Sequence, residues 1–272
     1  MDSVRKAVDR VYGHRVMRRR AGEVTAEAAL RAARGSAALS GADWALEEVR
    51  RRSDFGSDAE ARTVGAALRL NAEAGQLLTI WGQSPLRALA RLHLVAAGGA
   101  GAADRTVGRP RLAGEPVVEA PGPDGTAPEG GAPLTAGSPA EAPLPDADEV
   151  VARLDGLARL VIAPSSAPAL VTAAVVHGEL LALRPFGSYN GLVARAAERI
   201  VLIGSGLDPK AICPAEVGHA ELGRAAYAAA FDGYLSGTPA GMAAWITHCG
   251  RAVELGVRES TAVCEALQRG AA

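Results

Sequence analysis

Residues 171–202 read VTAAVVHGELLALRPFGSYNGLVARAAERIVL, two helical runs on either side of a short break. The first run is apolar almost throughout, with Ala173, Ala174, Val175, Val176, Leu180 and Leu181, which suits a helix buried on most sides. Pro185 disfavours the helical conformation at Arg184, so the spacing predicts that this helix ends there. The second run begins near Asn190 and continues through Leu192, Arg195, Ala196, Arg199 and Ile200. The loop between them holds Gly187, Asn190 and Gly191, residues that let backbone N–H groups converge. Such a helix start carries free donors and the positive end of the dipole, and it attracts anions.

Working outward, the chain of 272 residues is 49% hydrophobic with a formal net charge of -1, enough to bury a core as one domain or one domain with an extension. Nothing in the overall charge calls for nucleic acid. No apolar run approaches the roughly 20 residues that span a bilayer, and the first residues lack a signal-like apolar region, so a cytoplasmic protein without membrane contact is expected. Cys213, Cys249 and Cys264 are odd in number and widely spaced, without a C-x-x-C pair. Neither a disulfide framework nor a zinc site is indicated. The basic cluster Arg5, Lys6, Arg10, Arg15, Arg18, Arg19 and Arg20 reads as the solvated face of a terminal helix rather than a nucleic-acid or acidic-partner patch, because no recognition-helix pattern accompanies the charges.

Helical patterns are expected from Thr25 as a cap through Ala33, then over 44–52, 59–81, 85–97, 150–160, 172–183, 190–202, 222–236 and 241–255. His93 lies among apolar neighbours and reads as a packed residue. His177 sits seven residues, about 10 Å, before Arg184 and reads the same way. Between Gly98 and Pro145 the composition turns to Gly, Pro, Ala and Ser, an insertion expected to be disordered, in which only residues 116–119 could form strand. The expected division is a basic N-terminal segment 1–24, helices in 25–97, the insertion 98–147, a core 148–256 and a C-terminal helix or tail 257–272.

Arg184-Pro185-Phe186-Gly187-Ser188-Tyr189-Asn190-Gly191-Leu192-Val193-Ala194-Arg195 resembles the signature of the Fic (Fido) family, H-P-F-x-[DE]-G-N-G-R-x-x-R, in length and register. Pro185, Phe186, Asn190, Gly191 and Arg195 match; Arg184 replaces the catalytic His, Ser188 the metal-binding carboxylate, Tyr189 a Gly and Leu192 the first Arg. Residues 35–41, GSAALSG, are similar to the family's N-terminal inhibitory motif with Ser40 where the Glu belongs. Gly108-Arg109-Pro110-Arg111 and Pro143-Leu144-Pro145 resemble the ends of the family's substrate flap, and Tyr227 to Tyr234 followed by Trp245 its closing helices. The resemblance implies an all-α, Fic-type helical bundle with at most a vestigial β-hairpin flap.

In the family the signature His takes a proton from a protein hydroxyl, the carboxylate holds Mg²⁺, and the loop amides with both Args hold the phosphates of ATP. Here no catalytic residue is expected, positions 184, 188 and 192 being degenerate, and no metal ligand either, since Ser188 offers a neutral oxygen and leaves Mg²⁺ poorly held. Arg184, Asn190, Gly191 and Arg195 are the expected phosphate-binding residues. The expected function is that of a module that does not transfer AMP, binding ATP, another nucleotide or a phosphorylated ligand, with a protein as a further partner. The alternatives are an active nucleotidyl transferase of altered mechanism and a purely structural partner-binding domain.

Overall fold

The computed structural model describes residues 2–98, 105–118 and 144–270. The chain among these is helical: α1 (Asp2–Tyr12), α2 (Met17–Leu39), α3 (Leu46–Arg51), α4 (Ala59–Ala74), a 3₁₀ turn (Gly75–Leu77), α5 (Leu78–Gln83), α6 (Pro85–Ala96), α7 (Ala147–Ile162), α8 (Ala169–Leu183), α9 (Asn190–Gly204), α10 (Ala215–Leu222), α11 (Arg224–Leu235) and α12 (Pro239–Gln268). Several begin where the sequence supplies a cap. Asp58 accepts from the Ala61 N–H, Asp146 from that of Glu149 and Thr238 from that of Gly241. Each bond satisfies a donor that the first turn leaves without a helical partner.

The hairpin of α8 and α9 is the centre of the bundle. Both helices are buried on nearly all sides, as the apolar run of α8 predicts. Helices α4 and α6 pack on α9, α7 packs on α8 and α6, and α12 runs along α8 and also carries α1, α10 and α11. α1 buries Val4, Val8 and Val11, one stripe at helical spacing, against α12, while Arg5, Lys6 and Arg10 face solvent. Arg5, Lys6 and Arg10 are therefore the exposed side of an amphipathic helix, while Arg15, Arg18 and Arg19 are exposed in the turn after it and at the start of α2.

The structure departs from expectation at particular elements. Thr25 does not cap a helix. The chain is already helical from Met17, bends at Arg20 (φ -125°, ψ 25°), and spends the Thr25 hydroxyl on the Lys210 carbonyl at 3.1 Å. α3 starts at Leu46 because Ala45 is extended and the indole of the preceding Trp44 donates to Glu60 at 2.8 Å. The 3₁₀ turn breaks the expected helix 59–81. α10 has no counterpart in the sequence reading, and α12 continues unbroken through 257–268.

α10 is packed tightly between α2 and α12, and glycines make this possible. A Cβ at Gly218 would overlap the carbonyl of Ala252 in α12, and one at Gly35 would lie 2.8 Å from the Glu216 carbonyl. Of the expected flap, residues 116–118 run beside the central loop, where Val118 forms a single parallel bridge with Ser188. Glu119, Pro143 and most of the Gly- and Pro-rich insertion lie outside the described residues. Among the described residues no helix is long and apolar enough to cross a membrane.

Candidate functional site

Pro185 ends α8 by forcing Arg184 out of the helical region, and Arg184 adopts the left-handed conformation (φ 41°, ψ 63°) while its N–H still reaches the Leu180 carbonyl at 3.0 Å. For a non-glycine residue that conformation costs about 1–2 kcal/mol, so the surroundings must hold it. Arg111 does so. Its Nε donates to the Arg184 carbonyl at 3.0 Å, its backbone N–H to the Pro185 carbonyl at 2.7 Å, and its guanidinium also reaches the Pro145 carbonyl. The motif ends at Arg111 and Pro145 therefore meet at the loop, though 34 residues separate them.

Inside the loop Asn190 works as a clamp. Its Oδ1 accepts from the Phe186 N–H at 2.9 Å and its Nδ2 donates to the Phe186 carbonyl at 2.8 Å. The Phe186 ring stacks on His93 with centroids 4.3 Å apart. His93 Nδ1 accepts from the Gly108 N–H at 3.0 Å, which assigns the ring proton to Nε2, and Nε2 then donates to Ser188 Oγ at 3.1 Å. His93 is thus both packed and bonded to the loop, a partnership that 95 residues of separation hide from a sequence pattern. Val118 completes the frame by donating its N–H to the Gly187 carbonyl at 2.9 Å.

Tyr189, in the place of a glycine, is also left-handed (φ 56°) and its side chain is buried. Burial pushes its phenol up, with Arg69 and Arg62 opposing. Leu192 is a core residue. One turn on, Arg195 points its guanidinium at the end of α2: Nε donates to Ser36 Oγ at 2.8 Å, and one terminal nitrogen donates to the Ser36 carbonyl at 2.9 Å and to Ser40 Oγ at 2.7 Å. Burial pushes the Tyr227 hydroxyl above its ordinary value, and Arg195 opposes this. Ser36 was not singled out in the sequence. It lies one helical turn before Ser40, the spacing that puts both on one face.

The structure therefore brings Arg184, Ser188, Asn190, Gly191, Arg195 and Ser40 to one end of the central hairpin. The loop is covered: Arg184 is 5% exposed, Ser188 8%, Asn190 1% and Arg195 2%. Its polar groups are largely spent on one another and on α2, and a separate cavity of about 410 Å³ lies between α2 and α10, lined by Arg31, Arg34, Arg224, Asp43 and Glu221.

A second polar cluster lies behind the loop. His177 on α8, Glu198 on α9, His219 on α10 and Cys249 on α12 are fully buried, with donor atoms all within 4.8 Å of one another. Glu198 Oε2 is 2.9 Å from His177 Nδ1 and 3.2 Å from His219 Nε2, while His177 Nε2 meets the Tyr227 hydroxyl at 2.6 Å. Burial holds His177 below its ordinary value, with Glu198 opposing. For Glu198 burial acts upward, and the two neighbouring histidines draw it down on balance. Trp245 closes the cluster with its indole N–H on the Ala174 carbonyl at 2.7 Å.

A buried helical hairpin with a Pro-Phe loop opening its second helix, covered by the end of an N-terminal helix, defines a class, and that class is the Fic fold. The chain shares this fold with a Fic family protein from Desulfovibrio desulfuricans G20, at a TM-score of 0.70 and 17% identity over 96% of this chain and 74% of that one. It is similar in fold to Fic-1 from C. elegans as well, at a TM-score of 0.63 and 16% identity over 97% of this chain and 71% of that one. No family model matches the sequence, and no curated protein matches it.

Proposed function

We propose that this is a Fic-domain protein that does not transfer AMP and acts instead as a regulatory or interaction module, binding a nucleotide or phosphorylated ligand at the loop between α8 and α9. What supports the loss of transfer is chemical. A guanidinium does not give up its proton in a protein, so Arg184 is no general base, and losing such a base costs about 10²–10⁴ in rate. Ser188 is neutral and already engaged by His93 Nε2–H, so it cannot stand in for a carboxylate on Mg²⁺.

The observation that carries the ligand reading is the environment of Arg195. Its partners at the end of α2 are serine oxygens, where a carboxylate would form a charge-assisted pair. A neutral hydrogen bond contributes about 0.5–1.5 kcal/mol and one to a charged group about 1.5–3 kcal/mol. A phosphate can therefore displace the Ser40 hydroxyl where it could not displace a glutamate. Because the loop is covered, entry requires the end of α2 or residues 116–118 to yield.

The test is calorimetry of the purified chain against ATP, pyrophosphate and phosphate, with and without Mg²⁺, beside an assay for transfer of labelled AMP. Binding that Arg195→Ala weakens, without labelling of the protein or of lysate, is the expected result. Labelling that survives Arg184→Ala would favour a transferase of altered mechanism. Absence of any phosphate binding would leave a purely structural, partner-binding domain.

A further inference from the structure

We propose that His177, Glu198, His219 and Cys249 form a structural Zn²⁺ site that ties α8, α9, α10 and α12 together behind the Fic loop. Each helix supplies one donor, and the chemistry of the set is selective. Two imidazoles, one carboxylate and one thiol suit Zn²⁺, whereas Mg²⁺ and Ca²⁺ take oxygen ligands. Zinc bonds of about 2.0–2.3 Å in a tetrahedron place ligand atoms about 3.3–3.7 Å apart. The edges from Glu198 Oε2 to His177 Nδ1, 2.9 Å, and to His219 Nε2, 3.2 Å, are already near that value. The longest separation in the group, at most 4.8 Å, needs an inward shift of about 1 Å, within the reach of side-chain rotation.

A second observation is independent of the distances. His177 Nδ1, itself one of the donor atoms of the set, is buried without a hydrogen-bond partner although it faces Glu198 Oε2 at 2.9 Å. His177, Glu198 and His219 are at most 1% exposed. Burying an unpaired polar atom beside a carboxylate in such a place is strongly unfavourable unless something charged completes the set. A divalent cation does so: Glu198 neutralises one charge, and Cys249 neutralises the other as it binds, exchanging its S–H proton for a Zn–S bond and releasing that proton to solvent. The outer partner is in place as well, because a His177 ring bound through Nδ1 keeps a proton on Nε2, and Nε2 lies 2.6 Å from the Tyr227 hydroxyl. With four protein ligands and no exposed edge, the site leaves no position for substrate, so its role is to hold the helices.

The site does not depend on the function proposed for the loop, and its test is separate from any activity. Full-length protein from zinc-supplemented culture should contain about one zinc per chain by elemental analysis. After removal of zinc with a chelator during unfolding and refolding with Co²⁺, a thiolate-to-cobalt charge-transfer band should appear, and Zn²⁺ should displace it. Cys249→Ser should abolish the band, Cys213→Ser and Cys264→Ser should leave it, and Tyr227→Phe should weaken zinc binding by about 10–100-fold. Wild-type protein that retains no zinc and gives no cobalt band overturns the proposal, whether or not any variant folds. A band that persists in Cys249→Ser overturns it equally.

Discussion

Tyr189 stands where the Fic signature has a glycine, and it shows how a single residue sets competing terms against each other. Its left-handed backbone costs about 1–2 kcal/mol, while emptying the space of a buried aromatic ring costs about 3–5 kcal/mol. Burial wins, so Tyr189→Gly should destabilise the protein by about 1–4 kcal/mol in urea unfolding despite removing the strain. A gain in stability would mean that the ring contributes little. Ser40 and Arg195 make a second residue-scale case. A carboxylate at position 40 would compete with phosphate for the guanidinium that Ser40 Oγ now touches at 2.7 Å. A charged pair of about 1.5–3 kcal/mol corresponds to roughly a 10- to 100-fold loss of pyrophosphate affinity in Ser40→Glu. Arg195→Ala should lose it too, and the double variant should lose little more than Arg195→Ala alone, because the added carboxylate has no target. Additive losses in a four-variant titration would show that the competition does not run through this pair.

At the scale of elements, the legible helices are those whose starts are written locally. Asp58, Asp146 and Thr238 cap α4, α7 and α12 through bonds to N–H groups three residues on, and Pro185 with Asn190 bounds the central loop. Thr25 has the same chemistry as Thr238 but lies within a helix begun upstream, so its hydroxyl turns to Lys210. α10 was illegible for another reason: eight residues with a glycine at the centre give almost no periodic signal, and the helix exists because α2 and α12 close on it. Gly218 is where that closure is tightest. Gly218→Ala should therefore cost about 3 kcal/mol, the upper end of ordinary overpacking, since backbone rather than a movable side chain is in the way. Gly237, with φ 64° and open space around it, is the control: Gly237→Ala meets only left-handed strain, about 1–2 kcal/mol. Thermal unfolding of both variants compares the two, and an equal loss would mean that α10 shifts to accommodate the methyl.

Over the whole molecule, the part of the site that the sequence displays is the contiguous part. Arg184 to Arg195 can be read as one motif, and Ser40 by its likeness to a second. Arg111 is legible through the short motif 108–111 that carries it, whereas Ser36 and His93 join the loop only through tertiary contacts, and His177, Glu198, His219 and Cys249 come from four helices at spacings of 21, 21 and 30 residues, which no local pattern encodes. The same dispersal bears on restoring transferase chemistry. If the missing base were the one deficit, Arg184→His with Ser188→Asp should raise AMP transfer by about 10²–10⁴. The fold argues against that gain. An aspartate at 188 would sit buried against His93 Nε2–H, which already bonds this position, and its charge would be spent there instead of on Mg²⁺. Leu192 still supplies no guanidinium for phosphate, and Arg195 remains held by Ser36 and Ser40. The double variant should thus show no more transfer of labelled AMP than the wild type. Labelling that rises by two orders of magnitude or more would locate the whole deficit at positions 184 and 188, and the proposed module would then be an enzyme two substitutions from activity.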